Sequence, residues 1–239
     1  MDEPRSSLQH ARIILVKIGT EVVNSPEGLL AMGKIGSIVE QIARLHMQGK
    51  QIILVSSGAV AIGRMVLKRQ QMLSGSMQSH LKGYNPAAQG SLNPKACAAA
   101  GQSGMQSLYE VLFSQYHLAC SQILTSDTDF QVPEQTILSL LQVGIIPIIN
   151  ENDVVSQRKA PLTDAMVKRC HHGQLDKVLA CVDAINSGVV KAAVMLPAAP
   201  NSLVHAVEGQ RIGTLFRGPA PLPRPSAPAA APVPPASKL

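Results

Sequence analysis

The apolar positions fall into short unbroken runs separated by stretches of helical periodicity. Arg12–Gly19 reads RIILVKIG and Gln51–Gly58 reads QIILVSSG, two blocks of aliphatic residues that each end at a glycine-containing turn. Four apolar residues in a row without alternation indicate strands buried on both faces, as in a parallel sheet covered by helices. Between them Ile35, Ile38, Val39, Ile42 and Leu45 mark one helix face, with Gly49 as its stop. Strand, crossover helix and strand form a βαβ unit of nearly fixed hand, which sets both glycine turns at one edge of the sheet. Open α/β folds bind ligands at that edge. The chain is therefore expected to hold something anionic between Lys17-Ile18-Gly19-Thr20 and Ser56-Ser57-Gly58.

The same reading continues along the chain. A helix is predicted to open over Ala59–Lys68, and Met72 to Asn93, rich in Ser, Gly, Gln and Asn, reads as a long surface excursion. Lys95–Leu118 predicts a long helix interrupted near Gly101 and Gly104. Ala119–Leu124 is a short strand, Thr136–Val143 a helix, and Ile145–Ile149 a buried strand. Pro147 cannot donate to a ladder, so this last strand is expected at an edge, at a bulge or distorted. Leu175–Ser187 predicts a helix closed by Gly188, and Val189–Leu196 a strand. From Gly218 the composition becomes eight prolines in 22 residues with few bulky side chains. Such a segment is expected to be an extended, disordered Pro/Ala-rich tail, 218–239. Residues 1–9 form an N-terminal extension, and one folded domain occupies 10–217.

Composition narrows the chemistry. With 239 residues and 46% hydrophobic content, one core can form, and with 3% aromatics and no Trp it must be aliphatic. The net charge of +6 is carried by scattered pairs, Lys68-Arg69, Arg158-Lys159 and Lys168-Arg169. These read as a solvated surface or as attraction to a small polyanion such as a nucleotide, and not as a nucleic-acid site. Cys97, Cys120, Cys170 and Cys181 lack disulfide or zinc spacing. Cys170-His171-His172 has no second close ligand pair, so no metal site is assigned and free thiols in a reducing compartment are expected. No signal or transit segment and no run of membrane-spanning length is evident.

Three polar clusters could carry chemistry. Lys17 at a strand end beside Gly19 suits a phosphate or is a solvated charge. Ser56-Ser57-Gly58 offers donors to an anion or caps a helix. Asn150-Glu151-Asn152-Asp153 can hold an amino group or form a plain turn.

VKIGT, SSGAVAIG, AAAGQSG, GIIPIINENDVV and EGQRIGTLF occur in this order over Arg12 to Phe216. Together they closely resemble the glutamate 5-kinase family. This is the amino-acid kinase module that stands alone in bacteria and is fused at the front of the bifunctional pyrroline-5-carboxylate synthase of animals and plants. ACAAAGQSGMQSLYEVLFSQY is particularly similar to the bifunctional form. The resemblance implies an open three-layer α/β/α sandwich with a mostly parallel sheet. It also implies ATP- and Mg-dependent phosphorylation of the glutamate side-chain carboxylate, the committed step toward proline. By that resemblance Lys17 faces phosphate, with Gly19, Thr20 and Gly173 beside it, Ser57 and Asp153 contact glutamate, and Lys177 touches ATP phosphates. Two lysines flanking a transferred phosphoryl group would stabilise its spreading charge.

The chain also departs from that pattern. After Val155 several dozen residues that hold a second glutamate-contacting Asn and much of the adenine and ribose site are expected to be missing, near 155–170. A shorter gap falls near Asp129–Thr136. His171 and His172 stand where the family has small residues, and an imidazole there would crowd a phosphate. The fold is thus expected to be truncated in its nucleotide-binding half, with incomplete sites for ATP and Mg and weak or no turnover. The alternative is a non-catalytic structural or regulatory subunit derived from this kinase domain, or a truncated gene product. Loss of central strands would leave an open sheet edge for a second copy or a protein partner. The expected compartment is the cytoplasm or the mitochondrial matrix.

Overall fold

The computed structural model describes residues 5–25, 29–82, 92–125, 133–155, 181–182, 185–186, 192–197 and 199–217, with backbone alone at 75–82 and 133–134. Strands β1 (Ile13–Ile18), β2 (Gln51–Ser56), β3 (Cys120–Thr125) and β4 (Ile146–Glu151) form one parallel sheet in the order β1-β2-β4-β3. The two echoing blocks lie side by side in register, from Ile13 beside Gln51 to Ile18 beside Ser56. The helices are α1 (Ser6–Gln9), α2 (Thr20–Val23), α3 (Met32–Met47), α4 (Ala59–Lys82), α5 (Pro94–Ser114), α6 (Pro133–Gln142) and α7 (Ser202–Val207). A separate antiparallel pair joins β5 (Ala192–Met195) to β6 (Thr214–Arg217).

Crossover handedness explains the layers. The chain steps in one direction from β1 to β2 through α3, and in the same direction from β2 to β3 through α4 and α5. Right-handed crossovers put all three helices on one face. The step from β3 back to β4 runs the other way, which sends α6 to the opposite face. The principal core fills the first interface: Ile35, Val39 and Ile42 of α3 and Met105, Tyr109 and Phe113 of α5 pack with Ile52, Leu54, Ile146 and Ile148. On the other face Ile13 and Leu15 of the edge strand β1 remain 48% and 52% exposed.

Arg5 donates to the carbonyls of Gln210, Ile212 and Gly213, so the start of the described chain is tied to the turn before β6. Gln41 of α3 accepts from the Leu203 N–H at 2.8 Å, which anchors α7 to the main core.

Three expectations are corrected. Met72–Asn93 is not a loop throughout: α4 continues to Lys82. Leu, Met, Gln and Lys in that stretch favour helix, and isolated Gly and Ser residues do not outweigh them. Second, α5 runs uninterrupted through Gly101 and Gly104. Gly101 is a contact point instead of a break. A methyl there would lie 1.9 Å from the Ala59 carbonyl, and one at Gly63 would lie 1.7 Å from the Cys97 carbonyl. The two glycines let α4 and α5 touch backbone to backbone. Third, β4 is an interior strand despite Pro147. Ile146 donates to Ala119 on the β3 side at 2.9 Å, so alternation turns the Pro147 nitrogen toward β2. Pairing with β2 begins only at Leu54 beside Ile148, so the missing N–H removes no ladder bond.

The first residues of the Val189–Leu196 strand, most of the Leu175–Ser187 helix, the segment near 155–170 apart from Val155, and the tail lie outside the described residues.

Candidate functional site

The C-terminal ends of β1, β2 and β4 bring three of the polar clusters to one edge. β1 ends at Ile18 and passes through Gly19 into α2, while β2 ends at Ser56 and passes through Ser57-Gly58 into the long helix α4. The Ser57 N–H and its hydroxyl both donate to the Ile18 carbonyl at 3.2 Å, and the Thr20 hydroxyl donates to the Ser57 hydroxyl at 3.3 Å. The first and second turns are therefore stitched together. Gly58 has φ 137°, and a methyl on it would press Val23 Cγ1 at 3.0 Å, so this turn requires glycine. A methyl at Gly19 would point into open space, which leaves room above that turn for a ligand group.

The third cluster follows β4, the strand beside β2. Asn150 is buried at 3% exposure and donates to Gln102 of α5 at 3.0 Å. Asn152 N–H donates to the Thr125 carbonyl at 2.8 Å, which fixes the turn that carries Asp153. Partial burial raises the Asp153 carboxyl above its ordinary value, and the neighbouring Glu151 charge adds to the shift. Below this edge Ser56, 2% exposed, shares a 2.8 Å hydrogen bond with the Tyr109 hydroxyl.

The chemistry offered is specific. The Ser57 hydroxyl proton is committed to Ile18, so Ser57 Oγ and the Asp153 carboxylate present acceptor oxygens. An ammonium group meets that requirement, and its positive charge would reverse the shift on Asp153.

Lys17 is the penultimate residue of β1, on the exposed face with Ile13 and Leu15, and borders a cleft of about 250 Å3 along the outer edge of that strand. Lys34 and Ser37 of α3 line the same cleft, floored by Val16, Val22 and Leu203. Lys34 carries no sequence motif, and only its register on α3 brings it to that cleft. Among the described residues no cluster of three His, Cys, Asp or Glu side chains could hold a metal ion. Lys177, Gly173 and Cys170-His171-His172 lie outside those residues. Cys97, Cys120 and Cys181 are free thiols, and burial followed by the Glu110 charge pushes Cys120 up to about 11. No described helix is long and apolar enough to cross a membrane.

Residues 12–167 match the amino acid kinase family. Delta-1-pyrroline-5-carboxylate synthase 1 of Oryza sativa subsp. japonica is 40% identical over 171 residues, 69% of this chain and 23% of the synthase. Glutamate 5-kinase of Symbiobacterium thermophilum is 34% identical over 168 residues, 67% of this chain and 58% of the kinase. The chain thus spans about a quarter of the length of the plant synthases it matches. A solved carbamate kinase from Giardia superposes with TM-score 0.57 at 14% identity, covering 87% of this chain and 99% of the kinase. An isopentenyl phosphate kinase superposes with TM-score 0.52 at 12% identity, covering 84% of this chain and 98% of the other. These two likenesses establish the fold.

Proposed function

Because the chain belongs to the amino acid kinase family, we propose that it is a glutamate 5-kinase-like protein of proline biosynthesis that retains the amino-acid side of the site and has lost most of its phosphoryl-transfer capacity. The observation that carries the first half is the stitched pair of turns at Thr20 and Ser57, with the turn that carries Asp153 at the end of neighbouring strand β4, whose acceptor oxygens suit the ammonium of glutamate. The sequence similarity to glutamate 5-kinase points to the same substrate.

In the intact reaction an oxygen of the glutamate side-chain carboxylate attacks the terminal phosphorus of ATP. A new O–P bond forms while the bond to the leaving diphosphate breaks, and negative charge spreads over the phosphoryl oxygens. ATP with its Mg supplies the phosphoryl group and part of the charge neutralisation. Lys17 would hold phosphate oxygens from the end of β1, with Gly19 and Thr20 beside it. By sequence resemblance Lys177 and Gly173 would complete that cradle.

The second half of the proposal rests on spacing. Val155 and His171 are separated by only fifteen residues, where the family resemblance implies a nucleotide site of several dozen. Loss of aligned cations and nucleotide-positioning groups costs on the order of a thousandfold in rate. Calorimetric titration of the full chain is expected to give heat with glutamate and none with ATP. A γ-glutamyl hydroxamate assay is expected to show turnover about a thousandfold below that of a full-length glutamate 5-kinase. Ordinary turnover would overturn the loss of activity, and absence of glutamate heat would overturn the binding reading.

A second reading, a non-catalytic subunit docked on a partner or on another copy, is favoured by the exposed Ile13 and Leu15 on edge strand β1. Sedimentation velocity separates it from a monomer. The free thiols fit a reducing compartment, cytoplasm or mitochondrial matrix, which fractionation of the expressed protein tests.

A further inference from the structure

We propose that α5 acts as a positioning element for the glutamate site, with Gln102 holding Asn150 at the end of β4 as Tyr109 holds Ser56 at the end of β2. The inference rests on the glutamate reading above and adds two residues to it.

The geometry begins with strand register. Val55 lies beside Ile149, so Ser56 and Asn150 are the next step along adjacent strands. Each immediately precedes a loop assigned to the substrate: Ser57 follows Ser56, and Asp153 comes three residues after Asn150. Both side chains are almost wholly buried and both are met from α5, at 2.8 Å by Tyr109 and at 3.0 Å by Gln102. Positions 102 and 109 are two helical turns apart and share one stripe of α5. One helix therefore fixes the ends of both strands.

The supporting turn is itself held. Gly101 lies against the Ala59 carbonyl and the Gly63 N–H so closely that no Cβ fits. Ala59 opens α4 directly after Ser57-Gly58, so the backbone carrying Gln102 is set relative to the Ser57 loop by a backbone contact.

Gln102 has a cost that packing does not explain. Its Nε2 is buried without a hydrogen-bond partner. A leucine would fill similar space and remove that orphan, but it would leave the buried Asn150 amide without its acceptor, so the glutamine is explained by Asn150. Turning both amides over leaves the Gln102–Asn150 bond intact with its direction reversed. The clamp therefore fixes where the free Asn150 amide atom sits, whether that atom is an N–H or a carbonyl oxygen.

The test compares the wild-type chain with Gln102→Leu and, as a second variant, Gln102→Met. Glutamate affinity is read by calorimetry, stability by thermal melting, and the Asn150 side chain by its 15N amide signals. Both variants are expected to weaken glutamate about tenfold, the worth of one net hydrogen bond, with Tm lowered because the buried Asn150 amide loses its partner. Their Asn150 amide protons should exchange faster with water. A wild-type Kd in a folded variant, or an unchanged Asn150 amide, overturns the proposal. If the wild type itself gives no glutamate heat, the substrate reading fails, and the Asn150 amide signals still decide whether Gln102 holds that side chain.

Discussion

Asp153 and Tyr109 show how burial tunes two single groups at this edge in the same direction. The folded state raises the Asp153 carboxyl above its ordinary 3.8 through burial and then through Glu151. A raised carboxyl binds its proton more tightly folded than unfolded, so stability falls as pH rises through 3.8 toward the higher folded value. Asp153→Asn should therefore raise Tm slightly at pH 7, with the difference vanishing below about pH 4 where both states are protonated. The gain stays below about 1 kcal/mol because the group is only partly buried. Glutamate heat should disappear in the same variant.

Tyr109 is also raised, chiefly by burial, with the Ser56 bond opposing. The unfolded chain ionises near 10 while the folded one keeps its proton, so stability present below pH 10 is lost above it. Melting from pH 8 to 11 should show a steeper alkaline loss in the wild type than in Tyr109→Phe. At pH 8 the variant should be about 1 kcal/mol less stable for want of the Ser56 hydrogen bond. At this scale the sequence marked Ser57 and Asp153 as candidates because each sits in a polar cluster at a strand end. Gln102, Tyr109 and Lys34 were not visible, since a polar residue on an amphipathic helix carries no mark of the strand it meets.

Among the elements, the contact between α4 and α5 governs the placement of the site. Gly63 and Gly101 replace side chains with backbone at the crossing, and a methyl on either would overlap a carbonyl oxygen. Gly101→Ala should force the helices apart and cost about 1–3 kcal/mol, seen as a lower Tm. It should also weaken glutamate binding, because Gln102 and Tyr109 move with the helix. By contrast Gly104→Ala meets only a side-chain methyl of Ile62 at 3.4 Å and should leave Tm nearly unchanged. Two glycines in a helical pattern read as interruptions, and spacing alone cannot distinguish a break from a close approach. Strands β1, β2, β3 and β4 and helices α3 and α6 were legible because their apolar runs are unambiguous. β6, α1, α2 and α7 were not, since four to six residues are too few to display a period.

For the whole molecule, the asymmetry of the two sheet faces decides where the stability lies. Leu54 is fully buried under α3 and α5, whereas Leu15 on the adjacent strand is 52% exposed on the opposite face. Leu54→Ala should cost about 2–5 kcal/mol in chemical denaturation. Leu15→Lys should cost below about 1 kcal/mol, because an exposed site loses little transfer energy and leaves no cavity. Equal losses would show that the second face is covered as completely as the first.

Read alone, the sequence determined the βαβ opening, the parallel sheet and the edge at which the polar loops gather. Those features follow from local periodicity and from the near-fixed hand of crossovers, which need no knowledge of distant partners. Tertiary structure alone decided that Pro147 lies in an interior strand, that Gly101 is a contact, and that α5 reaches the ends of two strands. Each of these depends on which atoms face one another across residues far apart in the chain, and chain order does not encode that facing.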